Sequence, residues 1–202
     1  MMYRDAELGR ILRAKRPDMT ALGQLLDEMS HAQRVLSLER FSPKVQRRVF
    51  EAAQGRPVQL EDIVPESAGP LEEVIHQGIN TLPSFRSFQK RFCHPTSAHA
   101  NSERPEVWGY NHQAMSTFTG PGYFVGYQDT SNGEFCVDYT ALPPERPGSW
   151  PRVVSNKRKL GLLVYAGMVD RLRKVSEHVT IGRAYKLGVP MNAYFVLVRS
   201  RA

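Results

Sequence analysis

The sequence predicts an α+β fold in which N-terminal helices precede an antiparallel sheet of two hairpins packed on one long helix. Three observations predict it. Residues 20–55 repeat apolar side chains at helical spacing, whereas two later stretches hold aromatic and β-branched runs around turn residues. Between those stretches, Leu160, Leu163, Val164, Met168, Leu172 and Val175 recur every three or four residues, as one face of a helix starting near Asn156 would. The reading divides the chain into a helical region, 1–64, and an α+β core, 65–202.

In chain order, the first predicted helix runs from about Thr20 to Arg40, with Leu22, Leu25, Leu26, Met29, Val35 and Leu36 near one face and Asp18 or Thr20 as cap. The next begins with Ser42 as N-cap and Pro43 at the first helical position, where a missing N–H costs nothing, and closes at Gly55. Residues 57–70, with three prolines, form a connector. A short helix is expected over Leu71–His76, ended by Gly78, and another over 82–92, with Leu82, Phe85, Phe88 and Phe92 on one face and Arg86 and Lys90 solvated on the other. Strand texture starts at Val107–His112, continues over Ser116–Thr119, and gives a hairpin from Tyr123–Tyr127 to Glu134–Tyr139 around Asn132-Gly133. After the long helix, His178–Lys186 and Met191–Arg199 make a second hairpin around Leu187-Gly188, and Val196-Leu197-Val198 reads as a strand buried on both faces.

Composition bounds the function. The 202 residues are 41% hydrophobic and 23% charged, in the range of a folded domain and not of a disordered chain. No apolar run is long enough for a transmembrane helix, and the first 19 residues lack the apolar stretch of a secretory signal, so a cytoplasmic location and reduced thiols at Cys93 and Cys136 are expected. The formal net charge of +7 is unevenly placed: residues 57–145 sum to −7 and residues 146–202 to +10. That asymmetry signals either an anionic partner or an internal match of the acidic middle with the basic end.

No cofactor motif is present. Gly120-Pro121-Gly122 lacks the strand–glycine–helix setting of a dinucleotide site. Two Glu-x-x-His pairs, Glu28/His31 and Glu73/His76, lack the four long helices of a di-metal bundle, and Cys93, His94, His99 and His112 lack zinc spacing, so no metal site is assigned. Lys157, Arg158 and Lys159 oppose the partial positive charge of a helix start after Ser155-Asn156, an arrangement that suits an incoming anion.

The leading expectation is a binding protein for a small anionic amphipathic ligand. An apolar pocket of the sheet–helix core would use Tyr123, Tyr127 and Tyr139 as walls and Lys157, Arg158, Lys159 and Arg183 as anchors. Two alternatives come from other classes: an interaction or nucleic-acid-associated protein using the basic C-terminal face, and an enzyme using Asp138 and His178 as an acid–base pair brought together by strand pairing.

Overall fold

The computed structural model describes residues 2–99, 104–112, 120–155 and 165–200. Its centre is a closed barrel of eight strands in sequence order, every neighbouring pair antiparallel: β1 (Val74–Asn80), β2 (Ser87–Cys93), β3 (Glu106–His112), β4 (Tyr123–Gln128), β5 (Phe135–Asp138), β6 (Met168–Lys174), β7 (Val179–Lys186) and β8 (Val189–Arg199). Closure comes from β1 pairing with β8, His76 opposite Arg199 and Asn80 opposite Phe195, which leaves no open sheet edge.

The fold therefore corrects the α+β expectation of a two-hairpin sheet on a long helix. Residues 168–174, expected as the end of that helix, are β6; its start, 156–164, lies outside the described residues. The expected helices over Leu71–His76 and 82–92 are likewise replaced by β1 and β2. One physical reason covers these errors. Residues four apart share a face in a helix and also in a strand, so Phe88/Phe92 and Met168/Leu172 fit both periods. Gly78, read as a helix stop, is an inward strand position, where a β-carbon would lie 2.7 Å from the Phe88 ring. Gly126 plays the same part on β4, where the Phe135 ring takes the space.

The remaining described strands match the sequence reading, and the strand expected over Ser116–Thr119 lies outside the described residues. β4 and β5 flank the Asp129–Gly133 turn, where Asp129 Oδ1 accepts from the Ser131 backbone N–H and Gly133 takes a φ of 74°. In β8, Val196 and Val198 pack outward beneath helices while Leu197 points into the barrel, which explains the unbroken apolar run.

The N-terminal segment supplies α1 (Met2–Arg13), α2 (Met19–Asp27), α3 (His31–Ser37) with a 3-10 turn (Leu38–Arg40), α4 (Pro43–Ala52) and the single turn α5 (Leu60–Ile63). The helix expected over 20–40 is thus two. Ser30 starts the second with a capping box, its hydroxyl accepting from Gln33 N–H while Gln33 Oε1 accepts from Ser30 N–H, and Asp18 caps the first. Leu22, Leu26, Val49 and Phe50 from these helices share one core with Ile79, Ile181, Val196 and Val198 on the outer faces of β1, β7 and β8. A smaller outer cluster joins Trp108, Tyr110 and Tyr123 to Trp150. The connector 57–68 crosses one end of the barrel, and its Val58, Ile63, Val64 and Ala68 enter the same core as Phe92, Val107, Phe135 and Leu172 inside.

Candidate functional site

Alternation along each strand sends one set of side chains into the barrel. At the end crossed by 57–68 the inward polar groups are tied to that segment. His76 Nε2 lies 2.8 Å from the Ile63 carbonyl oxygen, which can only accept, so this nitrogen carries the proton. Arg199 Nη1 donates to Glu61 O at 3.0 Å. Lys174 pairs with Asp62 at 2.6 Å beside them. Burial pushes His76 down to about 3, and the neighbouring Arg199 and Lys90 charges act in the same direction, so the ring is neutral near pH 7.

The opposite half is hollow. A cavity of about 360 Å³ opens there, walled by Leu82, Phe88, Tyr165, Met168, Met191 and Phe195, with Ala184 and Ala193 as small residues on its side. Its floor is a polar group of four buried side chains. Lys90 on β2 and Asp170 on β6 sit four strands apart in the ring of eight, and so face each other across the lumen. Lys90 Nζ donates to Asp170 Oδ2 at 3.0 Å, to Asn111 Oδ1 at 3.0 Å, and to the Tyr139 hydroxyl. Asn111 Nδ2 donates to Tyr139 Oη at 2.9 Å, and Tyr139 in turn donates to Asp170 Oδ2 at 3.1 Å. Among the described residues, no group donates to the second carboxylate oxygen of Asp170, and no acceptor takes the second hydrogen of Asn111 Nδ2.

Aromatic rings surround this ammonium. The centroids of Phe124, Tyr139 and Phe195 lie 5.1, 5.0 and 5.0 Å from Lys90 Nζ, within cation–π range. Tyr139 also stacks on Tyr165, with centroids 5.1 Å apart. Lys90 is 2% exposed and Asp170 4%. Burial pulls Lys90 below the ordinary lysine range while Asp170 pushes it back up. Tyr139 is driven well above the usual phenol value, first by burial and then by the Asp170 charge, so it remains a hydroxyl donor. The four side chains thus form a charge-balanced floor that offers one free acceptor and one free donor to whatever enters.

Of the side chains singled out from sequence, Tyr139 lies in this floor. Tyr123 faces outward, its hydroxyl bonded to Pro151 O beside Trp150, and Tyr127 faces outward under the Arg104 guanidinium, 3.4 Å from the ring centroid. The inward partners of these tyrosines on β4 are Phe124 and Gly126. Arg183 also points outward, donating to Met191 O and lying 5.2 Å from the Tyr194 centroid. Lys157, Arg158 and Lys159 lie outside the described residues. Asp138 and His178 are not brought together. Asp138 shares a register row with Val169 and Tyr185, seven residues beyond His178 on β7, about 23 Å at ~3.3 Å per residue. Asp138 accepts from Thr140 N–H and Oγ1–H, whereas His178 sits at the other end of the barrel near Arg199.

The charge asymmetry is met in part within the chain. Arg171 and Arg173 both pair with Glu134, at 3.3 and 2.7 Å, Lys174 pairs with Asp62, and Asp170 takes Lys90. Asp62 and Glu134 of the acidic middle therefore neutralise three cations of the basic end, whereas the Lys90–Asp170 pair runs the other way.

Sequence reasoning missed Lys90, Asn111 and Asp170. Their signal was present at period two: Phe88, Lys90, Phe92 on β2; Val107, Gly109, Asn111 on β3; Met168, Asp170, Leu172 on β6. In each triplet a polar residue occupies an otherwise apolar parity. Among the described residues no three His, Cys, Asp or Glu side chains converge on a metal position, and no helix is long and apolar enough to cross a membrane. Both cysteines are free and buried; burial raises Cys93 to about 12.

What the fold and site define is a closed antiparallel barrel with one end plugged and a ligand-sized cavity at the other. Comparison of the chain with protein-family models, curated proteins and solved structures returns no match, so the functional reading rests on this geometry.

Proposed function

We propose that the protein binds a small amphipathic ligand inside the barrel, apolar body against the aromatic wall and an uncharged polar end on the Lys90–Asn111–Tyr139–Asp170 floor. The observation that carries this reading is the coincidence of the cavity with a buried polar network. A few convergent polar groups at the base of an apolar pocket are the usual composition of a ligand site. The floor already balances one cation with one anion, so a charged head there would leave an uncompensated buried charge. The free Asp170 oxygen instead suits a hydroxyl or amide N–H, and the free Asn111 hydrogen suits a carbonyl or ether oxygen.

An acidic group on the ligand belongs at the mouth, where Lys186 contributes to the lining. A small anionic amphipathic ligand is thus kept, with its anionic end turned outward. Calorimetric titration with 4-phenylbutanol and 4-phenylbutanoate tests both parts. Both compounds should bind one per chain, with Lys186→Ala weakening only the carboxylate. Ala184→Phe and Ala193→Phe, each filling the cavity from a different strand, should abolish binding of both. Binding that survives both fillings would place the ligand elsewhere and end the proposal.

A further inference from the structure

The Lys90–Asp170 pair differs from the other buried charges in what it joins. Arg199 and Lys174 tie the barrel to the segment that closes it, through Glu61 O and Asp62. Lys90 and Asp170 join two opposite walls at the base of an open cavity, where apolar side chains of similar size would serve packing as well or better. An amine held in an apolar pocket beside a carboxylate and two hydrogen-bonding groups has the equipment of a carbonyl-capturing nucleophile.

We propose that Lys90 captures an aldehyde or ketone ligand as a protonated Schiff base, with Asp170 as its counter-ion. This rests on the binding reading above and assigns the ligand's inner polar end as a carbonyl. The Lys90 ammonium first passes a proton to Asp170 Oδ2, 3.0 Å away, leaving a lone pair on Nζ. That pair forms the N–C bond as the C=O π electrons move to oxygen. The oxyanion takes the proton from Asp170, and the nitrogen returns one to the carboxylate, giving a neutral carbinolamine. Asp170 then protonates the carbinolamine hydroxyl, the C–O bond breaks, water leaves, and the nitrogen lone pair forms the C=N bond. An ammonium and a carbonyl have become an iminium and water, with Asp170 again a carboxylate. No oxidant or reductant is needed.

The surroundings suit each stage. Asn111 Nδ2 has a hydrogen to offer the developing oxyanion, while Tyr139, accepting from Lys90 and Asn111 and donating to Asp170, holds the group in place. Nζ carries positive charge in both the starting ammonium and the final iminium, so the rings of Phe124, Tyr139 and Phe195 face a cation in both end states. The iminium keeps one N–H, which retains the Asp170 bond. Burial, by lowering the cost of losing the ammonium proton, assists the first transfer.

The test uses the full chain with 3-phenylpropanal and sodium cyanoborohydride, followed by intact-mass measurement and peptide mapping. The seven lysines of the chain provide internal competition. The expected result is a single dominant reduced adduct on Lys90, formed at least tenfold faster than at any other lysine. That adduct should vanish in Ala184→Phe, and in Lys90→Met/Asp170→Leu, which removes both charges together so that folding is retained. Binding of 4-phenylbutanol without preferential trapping at Lys90 would overturn the Schiff base and leave the binding reading standing. Failure of both the alcohol and the aldehyde to engage the cavity would overturn both.

Discussion

The two ends of the barrel use similar residues differently. At the plugged end, inward polar groups are matched by the carbonyls and the carboxylate of 57–68, and the aromatic rings are close-packed. At the open end, four polar side chains satisfy one another and leave an unfilled volume above them. Five of the seven exposed large hydrophobics among the described residues, Leu82, Phe85, Leu187, Val189 and Met191, belong to the β1–β2 and β7–β8 connections or their edges, at this open end; Leu36 and Leu142 lie elsewhere. Phe85 and Leu187 also hold positive φ angles of 55° and 50°, which bulky residues adopt only at a cost. Leu71, at the plugged end, has a similar φ of 57°, so what sets the open end apart is its unfilled volume and its exposed apolar side chains.

The comparison breaks most sharply at Lys90. Lys90→Met leaves Asp170 buried without its partner and should destabilise by about 3–5 kcal/mol, whereas Lys90→Met/Asp170→Leu should recover most of that loss. Denaturant unfolding of the two variants measures it. Equal losses in both would mean that the pair holds the barrel together and is not a separable insertion into it.

Filling substitutions should separate the ends next. Gly126→Val presses a side chain onto the Phe135 ring, 2.7 Å from the added β-carbon, and should cost about 1–3 kcal/mol. Ala184→Phe enters the cavity and should cost less than about 1 kcal/mol, or stabilise. Similar costs at both sites, read from unfolding midpoints, would deny the difference in packing.

Acid tests the plugged end. His76 is held at about 3 in the folded protein against an ordinary 6.5, so the folded state resists its protonation. Its contribution is complete above about pH 7 and is lost as pH falls through 6.5 towards 3, because the unfolded chain binds the proton first. The stability of wild type should therefore fall more steeply over that window than that of His76→Gln, which keeps an N–H donor for Ile63 O. Parallel pH profiles would show that His76 is not sealed from solvent.

The smallest effect belongs to the rim. Phe85→Asn places a residue tolerant of positive φ at an exposed position and should raise stability by up to about 1 kcal/mol, measurable as a small increase in Tm. A clear loss would mean that the ring packs against something essential.

What the sequence made legible follows the same division. Helix α4, β3, the β4–β5 hairpin and the β7–β8 hairpin were readable because capping residues, a Pro at the first helical turn and turn glycines mark their ends. β1, β2 and β6 were not. Their inward faces carry His76, Lys90 and Asp170, which interrupt the apolar alternation that identifies a strand, while i,i+4 pairs imitate a helix. Two of the residues that hid the fold, Lys90 and Asp170, thus line the site, and the third, His76, holds the plug. Of the side chains expected as walls, Tyr139 lines the cavity, because a buried tyrosine reads as a wall whatever element carries it, while Lys157, Arg158 and Lys159 lie outside the described residues. Lys90 and Asp170, far apart in sequence, become neighbours only when the barrel closes.

The most direct measurement is an NMR titration of methyl-labelled methionines with 4-phenylbutanol. Met168 and Met191 line the cavity, whereas Met19 and Met29 lie in the helical layer outside the barrel. Saturable shifts at Met168 and Met191, with Met19 and Met29 unchanged, are the predicted result. Shifts centred on Met19 and Met29, or none at the cavity methionines at saturating ligand, would contradict a binding site in the open half of the barrel.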